Sequence, residues 1–281
     1  LLRGTRSIYG SNEPLFIIDG IPGSYSQVSP SDIESVDVLK DASSTAIYGS
    51  AGANGVVIIT TKRGKEGKVT VNFDAYYGFS GSPNYRHGMT RDEWVTYQQE
   101  AYKYKNGDYP TDMSALLGKQ DFIDAYNDGK WIDWIDEVSG NTATTQKYSL
   151  SVSSGTEKTK LFASTSYNRE EGLLNNENLN RYSLRLNLDQ QIFSWAKVGF
   201  TSNLVYRDLN SGVKNTFTKS LSAIPLGDAS TEKGEINHEY ITGQYSPMSD
   251  FIENQYVDNT RSTYLNMSGY VELTPVKDLT F

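Results

Sequence analysis

Hydrophobic and polar positions follow two different rules along the chain, and the change falls near residue 67. In residues 1–66 the apolar runs are short. "PLFIIDGIP" reads as a buried strand ended by Asp19-Gly20 and Pro22, residue types that suit a turn. "IESVDVLKD" alternates imperfectly and predicts a strand that runs into a helix near Asp41. "DASSTAIYGS" predicts that short helix, with Asp41 capping its first turn and Gly49 ending it. The β-branched run "GVVIITTKRG" predicts a further strand. Together these make a compact α+β unit.

From Lys68 onward the alternation is strict and the strands are long. Val69, Val71, Phe73, Ala75, Tyr77 and Phe79 are separated by Thr70, Asn72, Asp74 and Tyr76. Further runs of this kind lie at 147–153, 161–167, 181–189, 198–206 and 265–273, with Tyr182, Leu184, Leu186 and Leu188 against Arg181, Ser183, Arg185, Asn187 and Asp189 the clearest. One face is therefore apolar and the other polar. Short links near 155–157, 191–194 and 275–278 alternate with longer ones at about 80–143, 170–180 and 208–261. In an antiparallel meander this puts tight turns at one end and large loops at the other, the asymmetry of a transmembrane β-barrel. Tyr77, Tyr148, Tyr167, Tyr182 and Tyr206 fall near the large-loop end with apolar parity, as an aromatic girdle would, and Tyr264 is an exception on the polar parity.

Composition narrows the classes. The 281 residues contain no cysteine, which excludes disulfide frameworks, zinc ribbons and thiol catalysis, and His87 and His238 are too few for a histidine-rich metal site. They are expected as exposed loop residues. Twenty tyrosines and 24 glycines against 8 prolines favour β structure. Mean hydropathy is −0.53, and no stretch approaches the roughly 20 apolar residues of a membrane-spanning helix, but a barrel hides its lipid face in alternate residues. A net charge of −8 without a basic stripe argues against nucleic acid as a partner. The chain begins at Leu1 rather than Met, so a processed or cut piece of something longer is expected.

The strings "LLRGTRS", "PLFIIDGIP" and "DIESVDVLKDASSTAIYGSAGANGVVIITTKRGKEG" resemble the plug domain of SusC/RagA-type TonB-dependent outer-membrane transporters of Bacteroidetes. "KYSLSVSSGTEKTKLFASTSYNREEGLL" and "NRYSLRLNLDQ" resemble the first barrel strands of the same family. The resemblance implies a plug at 1–66, truncated at its N-terminal side, followed at 67–281 by the first part of a barrel of about 22 strands. Six strands and the start of a seventh at Leu279–Phe281 are expected, so two unpaired sheet edges should prevent this piece from folding alone. It also implies residence in the outer membrane in contact with lipid, energy from the TonB-ExbB-ExbD complex, a SusD-like lipoprotein as lid, and a nutrient cargo, an oligosaccharide before a peptide. No cofactor, metal or catalytic residue is implied. The resemblance also implies that the segment contacting TonB lies outside these 281 residues. A signalling receptor of the same architecture and a soluble lectin-like β protein are the alternative classes.

Candidate residues follow from both readings. The plug motif of the family falls on Arg3, Gly4, Asp19, Gly20, Lys40, Asp41, Tyr48, Gly49, Asn54 and Gly55. Its charged members either pair with the barrel wall or cap and pair locally, and local roles are favoured for Asp19 and Asp41. Arg3 is expected to face a wall carboxylate such as Asp74 or Asp189. Gly49, Gly52 and Gly55 follow a helix and precede a strand, the reverse of a phosphate-binding order, so a tight return is favoured, with Asn54-Gly55 supplying positive φ. Asp74, Arg181, Arg185, Asn187, Asp189 and Glu272 share the polar parity and should face the barrel interior. Their acids are too dispersed to suggest a glycosidase pair. In the loop at about 85–135, "RDEWVTYQQEAYKY" has helical spacing, and Trp94, Trp131 and Trp134 are candidates for contact with a ligand or lid, weighed against packing within the loop.

Overall fold

The computed structural model describes residues 13–40, 46–81, 88–139, 142–174, 176–276 and 279–281. The N-terminal unit is a four-stranded sheet of order β2-β1-β4-β3. Its strands are β1 (Leu15–Ile18), β2 (Ile21–Gly23), β3 (Ile33–Leu39) and β4 (Val56–Thr61). β1 runs parallel to β4, and the other pairs are antiparallel. The "PLFIIDGIP" run is thus a hairpin rather than one strand. Asp19 and Gly20 form its two-residue turn with φ of 48° and 87°, the left-handed pair that a tight hairpin needs to match strand twist. Ile18, Val28, Val57 and Ile59 make the core between sheet and connections. Asp41 and the start of the expected helix lie outside the described residues. Its described remainder is a 3-10 segment, Ala46–Gly52, interrupted at Gly49.

The second unit is one antiparallel meander of order β12-β9-β8-β7-β6-β5. Its strands are β5 (Gly67–Ser80), β6 (Ala143–Gly155), β7 (Thr159–Glu171), β8 (Glu177–Phe193), β9 (Ala196–Ser211) and β12 (Asn259–Leu273). β5 and β12 stand at opposite edges, so the sheet is open. At the far end Leu273 and Phe281 exchange both backbone hydrogen bonds, 3.0 and 2.9 Å. The link expected over 170–180 is reduced to 172–176, because Glu170 and Glu171 still pair with Leu179 and Asn178.

The two faces have the chemistry the alternation predicts. In β8 the odd positions Ser183, Arg185, Asn187 and Asp189 are buried, whereas Tyr182, Leu184 and Leu186 point outward. The outward apolar positions align into rows across strands, such as Phe73, Leu150, Thr165, Leu184, Leu204 and Leu265. Tyr148, Tyr167, Tyr182 and Tyr206 are direct cross-strand neighbours with ring centroids 6.5, 4.9 and 6.2 Å apart. At the short-turn end Phe193 and Trp195 stack at 5.2 Å. From Tyr182 to Ile192 a strand advances about 33 Å, which at a tilt of about 45° gives an apolar band about 23 Å tall between the two aromatic levels. Tyr264 pairs with the buried Val205 on the inner face, which explains its polar parity.

The two long links fold against each other above the sheet. The first supplies α1 (Arg91–Asn106), α2 (Met113–Leu117), α3 (Gln120–Asn127) and α4 (Trp134–Ser139). Thr90 and Glu93 cap α1 reciprocally, so the helix begins one residue before Asp92. The second supplies α5 (Thr216–Ser222) and the small hairpin β10 (Glu239–Ile241) and β11 (Gln244–Tyr245). Phe122, Trp134 and Val138 from one link pack with Val213, Tyr240 and Phe251 from the other.

Candidate functional site at the plug and wall interface

The polar inner face of the large sheet is where the N-terminal unit sits, and hydrogen bonds cross the contact at several points. Asn187 Nδ2 donates to the Lys62 carbonyl at 2.7 Å and Asn203 Nδ2 to the Gln27 carbonyl at 2.7 Å. Ser164 Oγ donates to Asp32 Oδ1 at 2.6 Å, and Ser166 Oγ to Ser29 Oγ at 3.1 Å. The segment after β4 lies so close to β7 that a Cβ on Gly64 would fall 2.4 Å from the Leu161 amide nitrogen. Only glycine permits that approach without displacing backbone.

At the centre is a buried ion pair. Arg185, 1% exposed, donates from Nη2 to Asp19 Oδ2 and to Thr61 Oγ1, the latter at 2.5 Å. Thr61 in turn donates to Asp19 from its amide at 2.9 Å and from its hydroxyl at 2.6 Å. The hairpin turn aims the Asp19 carboxylate outward, and β4 supplies the neutral donors that hold it. Nε and Nη1 of Arg185 are buried without a hydrogen-bond partner among the described residues, so the Asp19 contact carries most of the compensation for that charge. A second pair joins Arg63 Nη1 to Asp189 Oδ1 at 3.3 Å. Tyr270 donates to the same Asp189 oxygen at 2.8 Å by lying across Gly199, where an added Cβ would meet its ring at 1.9 Å.

This arrangement relocates several candidates. Asp19, favoured for a local role, is both the turn residue and the partner of a wall arginine. Arg3, Gly4, Asp41 and His87 lie outside the described residues, and Arg63 is the residue that reaches Asp189. Gly20 completes the hairpin turn, Gly55 has φ of 97°, and Asn54 Nδ2 donates to the Glu13 carbonyl at 3.4 Å. Gly49 has φ of 58°, and Tyr48 beside it is half-buried. Lys40 is exposed and in no ion pair among the described residues. Asp74 is exposed near the β5 edge and accepts from Ser149 Oγ at 3.4 Å, Arg181 is half-buried one row above the plug contacts, and Glu272 is exposed. Trp134 is a core residue and not a surface contact: it is 2% exposed and donates to the Ile224 carbonyl at 3.0 Å. Trp94 and Trp131 meet edge to face at 6.0 Å, and Trp94 also borders a cavity of about 520 Å³ between the two long links. His238 is exposed against Tyr245. Thr61, Arg63, Asp32 and Tyr270 were not singled out from sequence. Parity alone would have placed Tyr270 on the inner face.

Residues 1–56 match the family described as TonB-dependent Receptor Plug Domain. Over 98% of its length the chain is 31% identical to TonB-dependent receptor P26 of Formosa agariphila, covering 27% of that protein. It is 32% identical over 68% of its length to TonB-dependent receptor SusC of Bacteroides thetaiotaomicron, covering 18% of that protein. Among solved structures, the RagAB peptide transporter superposes with a TM-score of 0.78 at 27% identity, over 96% of this chain and 34% of that one. The chain belongs to the SusC/RagA-type TonB-dependent receptors. It spans about a quarter of the length of the TonB-dependent receptor it matches over its whole extent. The N-terminal unit falls largely within the segment that matches the plug domain, and it packs on the polar face of the large sheet.

Two outcomes are expected from this interface in the full-length receptor. Asp19→Asn, which keeps the left-handed turn accessible, and Arg185→Gln should each cost about 3–5 kcal/mol in urea titration, and the double variant should cost clearly less than the two combined. Additive losses would contradict a direct pair. Burial raises the Asp32 carboxyl above its ordinary value, against the Ser164 hydrogen bond and the nearby positive charges of Arg185, Lys62 and Arg181. Its contribution to stability is therefore fully present below the unfolded value of about 3.9 and is lost as pH rises through the raised folded value. Asp32→Asn should match the parent in acid and exceed it in stability at neutral pH; a difference independent of pH would contradict this.

Proposed function

We propose that the full-length protein is an outer-membrane importer that takes up an oligosaccharide, with the wall completing a barrel of about 22 strands around the plug. The observation that carries this reading is the opposition of the two wall faces. The outer face is an apolar band bounded by Tyr148, Tyr167, Tyr182 and Tyr206 at one level and Phe193 and Trp195 at the other. The inner face is polar and holds the N-terminal unit by hydrogen bonds around a central buried ion pair. An exposed apolar face of this extent suits lipid, not water.

In this reading substrate binds above the plug, beneath a SusD-like lipoprotein. The TonB-ExbB-ExbD complex then pulls the plug, and the substrate passes to the periplasm. Hydrogen bonds and one buried pair suit a seat that must open and reclose, because their partners can be replaced by water once it enters. No bond in the substrate is made or broken. Similarity to the RagAB peptide transporter supports a peptide importer as the second reading.

A strain lacking the native gene and complemented with the full-length receptor decides between these readings. It should accumulate labelled oligosaccharide, lose accumulation when the proton-motive force is collapsed, and ignore labelled peptides. Energised uptake of peptides alone would favour the second reading, and uptake of neither would overturn import.

A further inference from the structure

Strand register places Tyr76, Lys147, Asn168, Arg181, Arg207 and Ser262 in one unbroken row across all six wall strands. They share the parity of the inner-face residues that hold the plug. The row lies one step toward the long links from the row that contains Ser166, whose hydroxyl touches Ser29 of the plug. One further row of the same parity, which includes Glu170, separates it from the long links.

Its charge is unusual for this chain. The net charge is −8, yet the row carries three cations and no carboxylate. Arg181 and Arg207 are directly opposed on neighbouring strands, an arrangement that like-charge repulsion disfavours. Nε and Nη2 of Arg181 are buried without a hydrogen-bond partner among the described residues. Neither Arg207 nor Lys147 is in an ion pair among the described residues. The nearby carboxylates already hold neutral donors: Glu170 accepts from Asn168 of the row itself at 2.9 Å, Asp74 from Ser149 at 3.4 Å and Asp32 from Ser164 at 2.6 Å. A cavity of about 510 Å³ separates Lys147, Asn168 and Arg181 from plug residues Tyr25 and Ser29, and Tyr76, Asp74 and Glu170 also line it.

We propose that this row is an anion-binding floor, and that the imported oligosaccharide is acidic, carrying carboxylate or sulfate groups. The proposal rests on the import reading above. Two guanidiniums side by side present fork-shaped donors that match either anion, and an arriving negative group relieves the repulsion between them. The half-exposed rings of Tyr25 and Tyr76 supply flat apolar surfaces beside the cations, which suit a sugar ring better than a peptide backbone.

Calorimetric titration of the purified full-length receptor tests this with four probes of similar length: tetramannuronate, a sulfated tetrasaccharide, maltotetraose and tetraglutamate. One or both acidic sugars should bind at least about tenfold tighter than maltotetraose, and which of them does so identifies the anion. That binding should weaken as salt rises. Arg181→Gln with Arg207→Gln should remove the preference, and the double lysine variant should retain most of it. The charge preference of the parent needs no variant, so misfolding of a mutant leaves the test intact. Equal affinity for maltotetraose, or binding of tetraglutamate alone, would overturn the proposal. Because binding is measured without transport, failure of energised uptake would sink the import reading and leave this result to stand by itself.

Discussion

A guanidinium sealed between two sheets is costly unless a carboxylate meets it, and the Arg185 contact with Asp19 is the constraint around which the rest of this structure is arranged. It requires β8 to present Arg185 inward, which sets the parity of every residue on that strand. It requires a left-handed turn at Asp19 so that the carboxylate leaves the hairpin toward the wall. It requires Thr61 on the adjoining strand to fill the remaining acceptor sites. The neighbouring contacts from Asn187, Asn203 and Ser164 use the same parity, so the plug is read by several rows of one polar face at once.

That inward commitment dictates the outside. With a period of two, placing polar residues on one face sends Leu184, Leu186 and their cross-strand neighbours to the other. The apolar band is thus the complement of the plug seat. The tyrosines bound it because their rings are apolar and their hydroxyls need water or headgroups. The long links add a separate layer whose core is shared between two segments far apart in sequence.

Much of this was legible in the chain because alternation is a local signal. Six strands, their faces and the tyrosine level follow from residues two apart. The ion pair was not legible, since Asp19 and Arg185 are separated by 166 positions and Asp19-Gly20 is already a sufficient turn signal. The same limit applies to Trp134. Packing within its own loop was one reading of this residue, but the carbonyl and ring that bury it come from Ile224 and Tyr240 on the other link. Strand ends were also underestimated, because backbone pairing continues past the point where side-chain alternation fades, as at Glu170 and Glu171.

The central claim is that the plug must leave its polar seat for transport to occur. The Ser29 and Ser166 hydroxyls approach to 3.1 Å across the interface, which puts cysteines at the two positions within disulfide reach. A receptor carrying Ser29→Cys and Ser166→Cys, assayed for energised uptake before and after oxidation, measures that movement directly. Oxidation should abolish uptake while leaving substrate binding intact, and a reductant should restore it. Undiminished uptake by the fully cross-linked receptor would contradict the account.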